Sequence, residues 1–176
     1  PGSKCSDEIM RKMFSITFSA LKSSSNERLW FNCNVKAGKL HLARGDHAAV
    51  RQVVDELKKS CQKPDGSDDS SKGTSLLEAY ALEISLCAAT RDARRMKRIY
   101  PRTLNLNAAV ADPRIMGVIR EEGGRMHMRD ANFAEAYNEF YAGFRAYQEA
   151  GNSRAKDCLK YVVLANMLVR SRRPVV

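Results

Sequence analysis

The chain has 176 residues, of which 44% are hydrophobic and 28% charged, an ordinary balance for a soluble globular protein. That length can bury a core in one domain or in a short repeat array, and no apolar run approaches the roughly 20 residues that span a bilayer, so nothing in the sequence predicts a membrane partner. The formal net charge of +10 favours acidic partners, whether nucleic acid, phosphorylated ligands or acidic protein surfaces, and does not choose among them.

Apolar residues at three- and four-residue spacing predict helices through the first half of the chain. The predicted elements are helices over residues 6–22, 27–44, 47–61 and 74–90, with a polar, mobile loop over residues 62–73 before the last of them. A fifth helix begins after Asp92 and meets Pro101. We expect a kink or an early end there, because proline lacks the N–H that a helix needs.

Three further helices are predicted after Asp112, which serves as an N-cap ahead of Pro113 at the first helical position. The first of them ends at residues 130–132, and the second ends at Gly151, a candidate left-handed residue that precedes the third. An aromatic stripe at helical spacing lies on the second: Phe133, Tyr137, Phe140, Phe144 and Tyr147. We interpret the stripe as core, since a nucleobase-stacking surface would interleave exposed rings with basic residues.

Small residues at set offsets predict that these helices pair as tetratricopeptide-like hairpins. Gly124 on one helix and Ala136 on the next let the axes approach closely, Phe140 fills the space beyond, and Gly143 completes the pattern. A generic helical hairpin is the competing interpretation, because one such match can arise by chance. With no strand signal, the sequence predicts an all-α, right-handed α-solenoid: one helical-repeat domain of about eight helices over residues 4–173, then a tail over residues 174–176.

The cysteines and the first residues bear on the origin of the chain. The cysteines are odd in number and have no paired spacing, which indicates reduced thiols of a cytosolic or nuclear protein: Cys5, Cys33, Cys61, Cys87 and Cys158. Pro1-Gly2-Ser3 is typical of the remnant that cleavage of an expression tag leaves behind. We therefore expect a fragment excised from a longer protein.

No catalytic or metal-binding motif is present in the sequence. His41, His47 and His127 belong to no metal-ligand cluster, and the first and last of them stand where a packing aromatic is usual. The adjacent acids Glu121 and Glu122 are expected to point in different directions on a helix and toward water. We predict that the chain is not an enzyme and that it holds no metal or catalytic cofactor.

Two groups of basic residues receive different interpretations. The first group lies in the turn and helix after residue 90. Its side chains point in several directions around the helix, which is typical of a solvated face: Arg91, Arg94, Arg95, Lys97, Arg98 and Arg102. The second comprises Lys39, Arg125 and Arg129, at offsets that line the concave groove of tetratricopeptide-type repeats. Positive charge there would attract an acidic segment or a polyphosphate. These three are the candidate partner-binding residues, with a solvated face as the alternative.

Four long segments closely resemble the second subunit of the COP-nine signalosome. They are NERLWFNCNVKAGKLHL (26–42), SCQKPDGSDDSSKGTSLLEAYALEI (60–84), PRIMGVIREEGGRMHM (113–128) and EAGNSRAKDCLKYVVLANML (149–168). The resemblance covers nearly the whole chain after the first three residues. The chain departs from that family in its arginine-rich helix at Arg94, Arg95 and Arg98, in stopping before the C-terminal PCI module, and in lacking the acidic N-terminal segment.

The resemblance implies a non-catalytic scaffold of the nucleus and cytoplasm. Such a subunit assembles with other signalosome subunits and helps to bind a cullin–RING ubiquitin ligase, through the cullin C-terminal region and the RING protein. Another subunit then removes the ubiquitin-like modifier (deneddylation). Inositol hexakisphosphate is the ligand that the resemblance associates with this contact. Two alternatives stay open: the paralogous proteasome-lid scaffold subunit, and a basic helical-repeat domain that binds nucleic acid.

Overall fold

The structure, a computed structural model, describes residues 9, 12–13, 16, 26–63, 69–106 and 111–171. The described residues fall into two compact units, one up to Ser60 and one from Cys61, which are treated separately below. Most of the predicted helix 6–22 lies outside the described residues, as does the middle of the predicted loop 62–73. The prediction of a single domain over residues 4–173 stays a prediction.

The first unit contains two helices, α1 (Glu27–Ala43) and α2 (His47–Ser60). Asn26 caps α1, since its side-chain oxygen accepts a hydrogen bond of 3.0 Å from the backbone N–H of Leu29. Gly45 turns the chain between the helices with φ +76°, a left-handed conformation that favours glycine. The buried side of α2 follows helical spacing and packs on α1: Val50, Val54 and Leu57.

The second unit contains a short 3₁₀ helix, Ser70–Lys72, and five α-helices. These are α3 (Gly73–Thr90), α4 (Ala93–Asn105), α5 (Pro113–Arg129), α6 (Phe133–Glu149) and α7 (Ala155–Ser171). Consecutive helices pack on each other, and α3 also contacts α5, so the first helices of successive pairs lie together. This is the contact pattern of stacked helical hairpins. The described residues contain no β-strand, and the all-α helical-repeat prediction is confirmed.

The helix ends agree with the predicted turn chemistry. Asp112 caps α5 by accepting a hydrogen bond of 2.8 Å from the N–H of Arg114, and Gly151 follows α6 with φ +63°. The break after α5 is also confirmed, and its left-handed residue is Ala131 with φ +58°. Helix α4 continues through Pro101 to Asn105, so the expected early end is wrong, and the alternative of a kink at Pro101 stays a prediction.

Burial of the residues on either side of Pro101 explains why α4 continues through this proline. Tyr100 and Thr103, on either side of Pro101, are 3% and 2% exposed. The hydroxyl of Thr103 donates a hydrogen bond of 2.6 Å to the backbone carbonyl of Tyr100. Proline removes one helical hydrogen bond, and packing of the buried side of α4 offsets that loss.

The predicted close approach of α5 and α6 is present. Ala136 is fully buried and Phe140 is 1% exposed, and a Cβ atom added to Gly124 would lie 2.6 Å from the Phe140 ring. Gly117 meets the ring of Tyr147 in the same way, at 2.5 Å. The aromatic stripe is therefore core at Phe140 and Tyr147. Two half-buried members of the stripe pack against the same cluster: Tyr137 and Phe144.

The substitution Gly124→Ala tests this close approach. Overpacking costs about 1–3 kcal/mol, and the higher helix propensity of alanine returns about 1 kcal/mol, so we expect a net loss of up to about 2 kcal/mol in the free energy of unfolding. Gly73→Ala is the matched control, because a Cβ atom there meets nothing within 4 Å. Urea unfolding followed by circular dichroism measures both changes. Equal stabilities of the two variants would show that the helices do not touch at Gly124.

Candidate functional site

The three candidate partner-binding residues lie in two separate units. Lys39 is exposed on α1 in the first unit, whereas Arg125 and Arg129 lie one turn apart on α5 in the second. Arg129 is exposed, and 35% of the Arg125 side chain is accessible. The structure therefore brings Arg125 and Arg129 together on one helix face. Their predicted role as partner contacts stays a prediction.

Arg125 is held by groups of the chain itself. Its guanidinium donates a hydrogen bond of 2.7 Å to Glu121 Oε1 and lies 3.2 Å from Glu122 Oε1. It also lies 5.3 Å from the centroid of the Tyr161 ring, within cation–π range. Two carboxylates and a ring thus fix the orientation of this arginine and compensate its charge. Arg129 makes no ion pair or ring contact of this kind within the described part of the chain and is an exposed cation.

The centre of this arrangement is the buried carboxylate of Glu121, which is 2% exposed. Arg154, just before α7, donates to both of its oxygens, at 3.1 Å from Nε and 2.7 Å from Nη2. The hydroxyl of Tyr147 on α6 donates to Glu121 Oε2 at 2.8 Å. Glu121, Glu122, Arg125, Tyr147 and Arg154 form what we call the Glu121 cluster. It ties three helices together through charge-assisted hydrogen bonds.

Burial sets the protonation of groups in and beside the Glu121 cluster. It raises the pKa of the Tyr147 phenol, whose hydrogen bond to Glu121 adds to the effect, so the phenol stays a donor. It also raises the pKa of Glu122, against the opposing charge of Arg125. Because the folded chain then binds this proton more tightly than the unfolded chain, ionisation of Glu122 lowers stability as pH rises through its titration. The neighbouring Cys158 thiol has its pKa raised by burial to about 12, which keeps it an unreactive thiol.

The expectation that Glu121 and Glu122 face water is wrong. Glu121 lies three residues before Gly124, and residues three apart share a helix face, so the glycine that marks the close contact also marks Glu121 as buried. Arg125 is a second signal in the sequence, because it lies four residues after Glu121 and can pair with that carboxylate on the same helix face. Arg154 and Tyr147 could not be found this way, because they approach from other helices.

Two further buried or nearly buried glutamates are paired across helices. Glu83 on α3, 1% exposed, accepts hydrogen bonds of 2.8 and 2.5 Å from Arg95 on α4. Glu139 on α6 accepts two hydrogen bonds of 3.0 Å from Arg120 on α5. An unpaired buried carboxylate is costly, so these arginines satisfy an internal requirement and do not offer free charge to a partner.

His127 packs edge-on against Tyr100, with ring centroids 6.2 Å apart, as predicted for a packing aromatic. Within the described ranges, no three or more His, Cys, Asp or Glu side chains are placed to hold a metal ion. The same residues include no helix whose length and apolar character would allow it to cross a membrane.

Comparison with known proteins gives clear relatives, although no protein-family model matches the chain. "COP9 signalosome complex subunit 2" of Drosophila melanogaster is 43% identical over 163 residues, covering 93% of this chain and 37% of the relative. The protein of the same name from Emericella nidulans is 45% identical over 164 residues, covering 93% and 32%. That from Schizosaccharomyces pombe is 36% identical over 165 residues, covering 93% and 38%. The chain thus spans about a third of the length of these relatives.

Proposed function

We propose, on the premise that this chain resembles signalosome second subunits along nearly all of its length, that it serves as part of a non-catalytic scaffold subunit of the signalosome. The observation that carries the proposal is identity of 36–45% over 93% of the chain to proteins of that name. Stacked helical hairpins with internally paired charges support it, since such arrays present extended surfaces to partner proteins. The partners are then other signalosome subunits, and the location is the nucleus and cytoplasm.

At a finer level, we propose that the subunit helps to bind a cullin–RING ubiquitin ligase for deneddylation, with inositol hexakisphosphate at the contact. Lys39, Arg125 and Arg129 are the proposed contacts. The support is electrostatic: Arg129 is an exposed cation, and the partly exposed edge of Arg125 lies one turn away in a fixed orientation. Guanidinium groups held in place bind phosphate and carboxylate oxygens with geometric specificity.

Charge reversal at the two exposed positions tests the finer proposal. We expect the double variant Lys39→Glu/Arg129→Glu of the full-length subunit to bind a purified cullin–RING ligase about tenfold more weakly, which corresponds to ~1.4 kcal/mol. Calorimetry with and without inositol hexakisphosphate measures the change. Arg125 is left intact in this test, because reversing its charge would also disturb buried Glu121.

The control carries the same change in charge elsewhere. Arg28→Glu/Arg145→Glu alters one exposed arginine in each unit, and its affinity is expected to change less than twofold. If the test variant binds as tightly as the control, the contact assignment is wrong. Co-purification with the other signalosome subunits checks the coarser proposal independently, and failure there would overturn the scaffold assignment itself.

The two alternatives have less support. The relatives reported above are signalosome subunits, not proteasome-lid subunits. The net charge of +10 still favours acidic ligands. A surface that stacks single-stranded bases, however, would need several exposed rings, and within the aromatic stripe Phe140 and Tyr147 are each 1% exposed.

A further inference from the structure

Three arginines form a row on the outward face of α4. Arg94, Arg98 and Arg102 are all exposed and follow one another at four-residue spacing. Four residues advance an α-helix by about 6 Å and turn it slightly past one full rotation, so the three side chains emerge along one slanting line about 12 Å long. We call these three residues the arginine row. It lies on a different helix from the α5 face of the proposed function.

The charge of the arginine row is not compensated within the described part of the chain. No side-chain hydrogen bond or ion pair joins any of the three to another described residue. The other two basic side chains of α4 are engaged: Arg95 binds buried Glu83 at 2.5 Å, and Lys97 Nζ lies 2.7 Å from Asp130 Oδ2. The same helix therefore contains both structural cations and cations with no internal role.

Local stability does not explain the row. Like charges four residues apart repel each other along a helix, and α4 has no acidic residue in its first turn. Arg94 lies in that first turn, where the helix dipole disfavours positive charge. Helix α4 also loses a backbone hydrogen bond at Pro101. A feature that opposes helix stability at several points without an internal partner is typical of a binding surface.

We propose that the arginine row binds an acidic peptide segment of a partner protein. Glutamates at every fourth position of a helix, or at alternate positions of an extended strand, repeat at about 6–7 Å, which matches the spacing of the row. Each guanidinium can donate two parallel hydrogen bonds to one carboxylate.

The size and surroundings of the row favour peptide over nucleic acid. Proteins that bind nucleic acid through the backbone commonly neutralise about 6–10 phosphates, and the row supplies three charges. Base stacking would require an exposed ring next to the row. The aromatic residue of α4, Tyr100, is 3% exposed and points into the core.

Fluorescence polarisation with a labelled acidic peptide tests the proposal. The probe has about 14 residues, with glutamate at every fourth position and alanine elsewhere, and a glutamine version serves as the uncharged reference. We expect the triple variant Arg94→Glu/Arg98→Glu/Arg102→Glu of this chain to bind the glutamate peptide at least about tenfold more weakly than the unmodified chain. The triple lysine variant keeps the positive charge but loses the forked guanidinium donor, so we expect its affinity for the glutamate peptide to decrease about threefold.

A matched variant separates the row from net charge. Arg28→Glu/Arg51→Glu/Arg145→Glu makes the same change in charge at exposed positions scattered over other helices, and it is expected to bind within about twofold of the unmodified chain. Equal losses in the two triple variants would overturn the proposal, as would unchanged binding by the row variant. Tighter binding of single-stranded DNA than of the peptide, lost in the row variant, would assign the row to nucleic acid instead. Circular dichroism of each variant confirms that the exposed substitutions leave the fold intact.

Discussion

Replacing Phe140 with alanine is expected to lower the free energy of unfolding of the second unit by about 3–5 kcal/mol. The Phe140 ring is 1% exposed, and its atoms are the three nearest to a Cβ atom placed on Gly124, at 2.6 to 2.9 Å. It also stacks on Tyr161 of α7, with ring centroids 5.2 Å apart. Removing the ring would leave a cavity between three helices whose close approach is fixed by small residues, so the surroundings cannot readily collapse into it.

Urea unfolding measured by circular dichroism gives this change. Tyr141→Ala is the control: Tyr141 follows Phe140 directly but is 46% exposed, and its loss is expected to cost less than about 1 kcal/mol. Trp30, the one tryptophan of the chain, lies on α1, so its fluorescence follows the first unit separately. A loss below about 1 kcal/mol for Phe140→Ala would contradict the buried position of the ring.

Replacing Glu121 with alanine is expected to cost about 2–4 kcal/mol in the free energy of unfolding. The substitution removes the acceptor of Tyr147, whose hydroxyl is then buried without a partner, and it leaves Arg125 and Arg154 without their shared carboxylate. The full penalty for breaking a buried ion pair does not apply. The two arginine side chains are 35% and 52% exposed, so water can solvate part of the released charge.

Two variants sharpen this prediction. Glu121→Gln keeps one acceptor oxygen and the side-chain shape. Its free energy of unfolding should lie between that of the wild type and that of Glu121→Ala. Glu149→Ala removes an exposed carboxylate from α6 and should change stability by less than about 0.5 kcal/mol. Thermal and urea unfolding at neutral pH give the comparison. If Glu121→Ala proves as stable as Glu149→Ala, the three-helix role of the cluster is wrong.

Local sequence rules were enough for most of the helical architecture. N-caps such as Asp112, the left-handed Gly151 and the small residues opposite Phe140 act over one or a few turns, so their effects can be derived from neighbouring residues. The extension of α4 through Pro101 could not be derived this way. Whether a helix continues past a proline depends on how strongly its flanking residues are buried, and those contacts come from other helices.

In the candidate site, too, some features follow from local sequence and others depend on contacts between helices. That Arg125 and Arg129 share one face of a helix follows from their spacing alone, and so does the row at Arg94, Arg98 and Arg102. Which other arginines are free and which are bound depends on tertiary contacts, because Glu83, Glu121 and Glu139 each receive a partner from outside their own helix. Local sequence patterns therefore account for the helices, their turns and the surplus of positive charge. The fold decided where that charge is neutralised, since buried carboxylates must be paired and the pairing depends on contacts between helices.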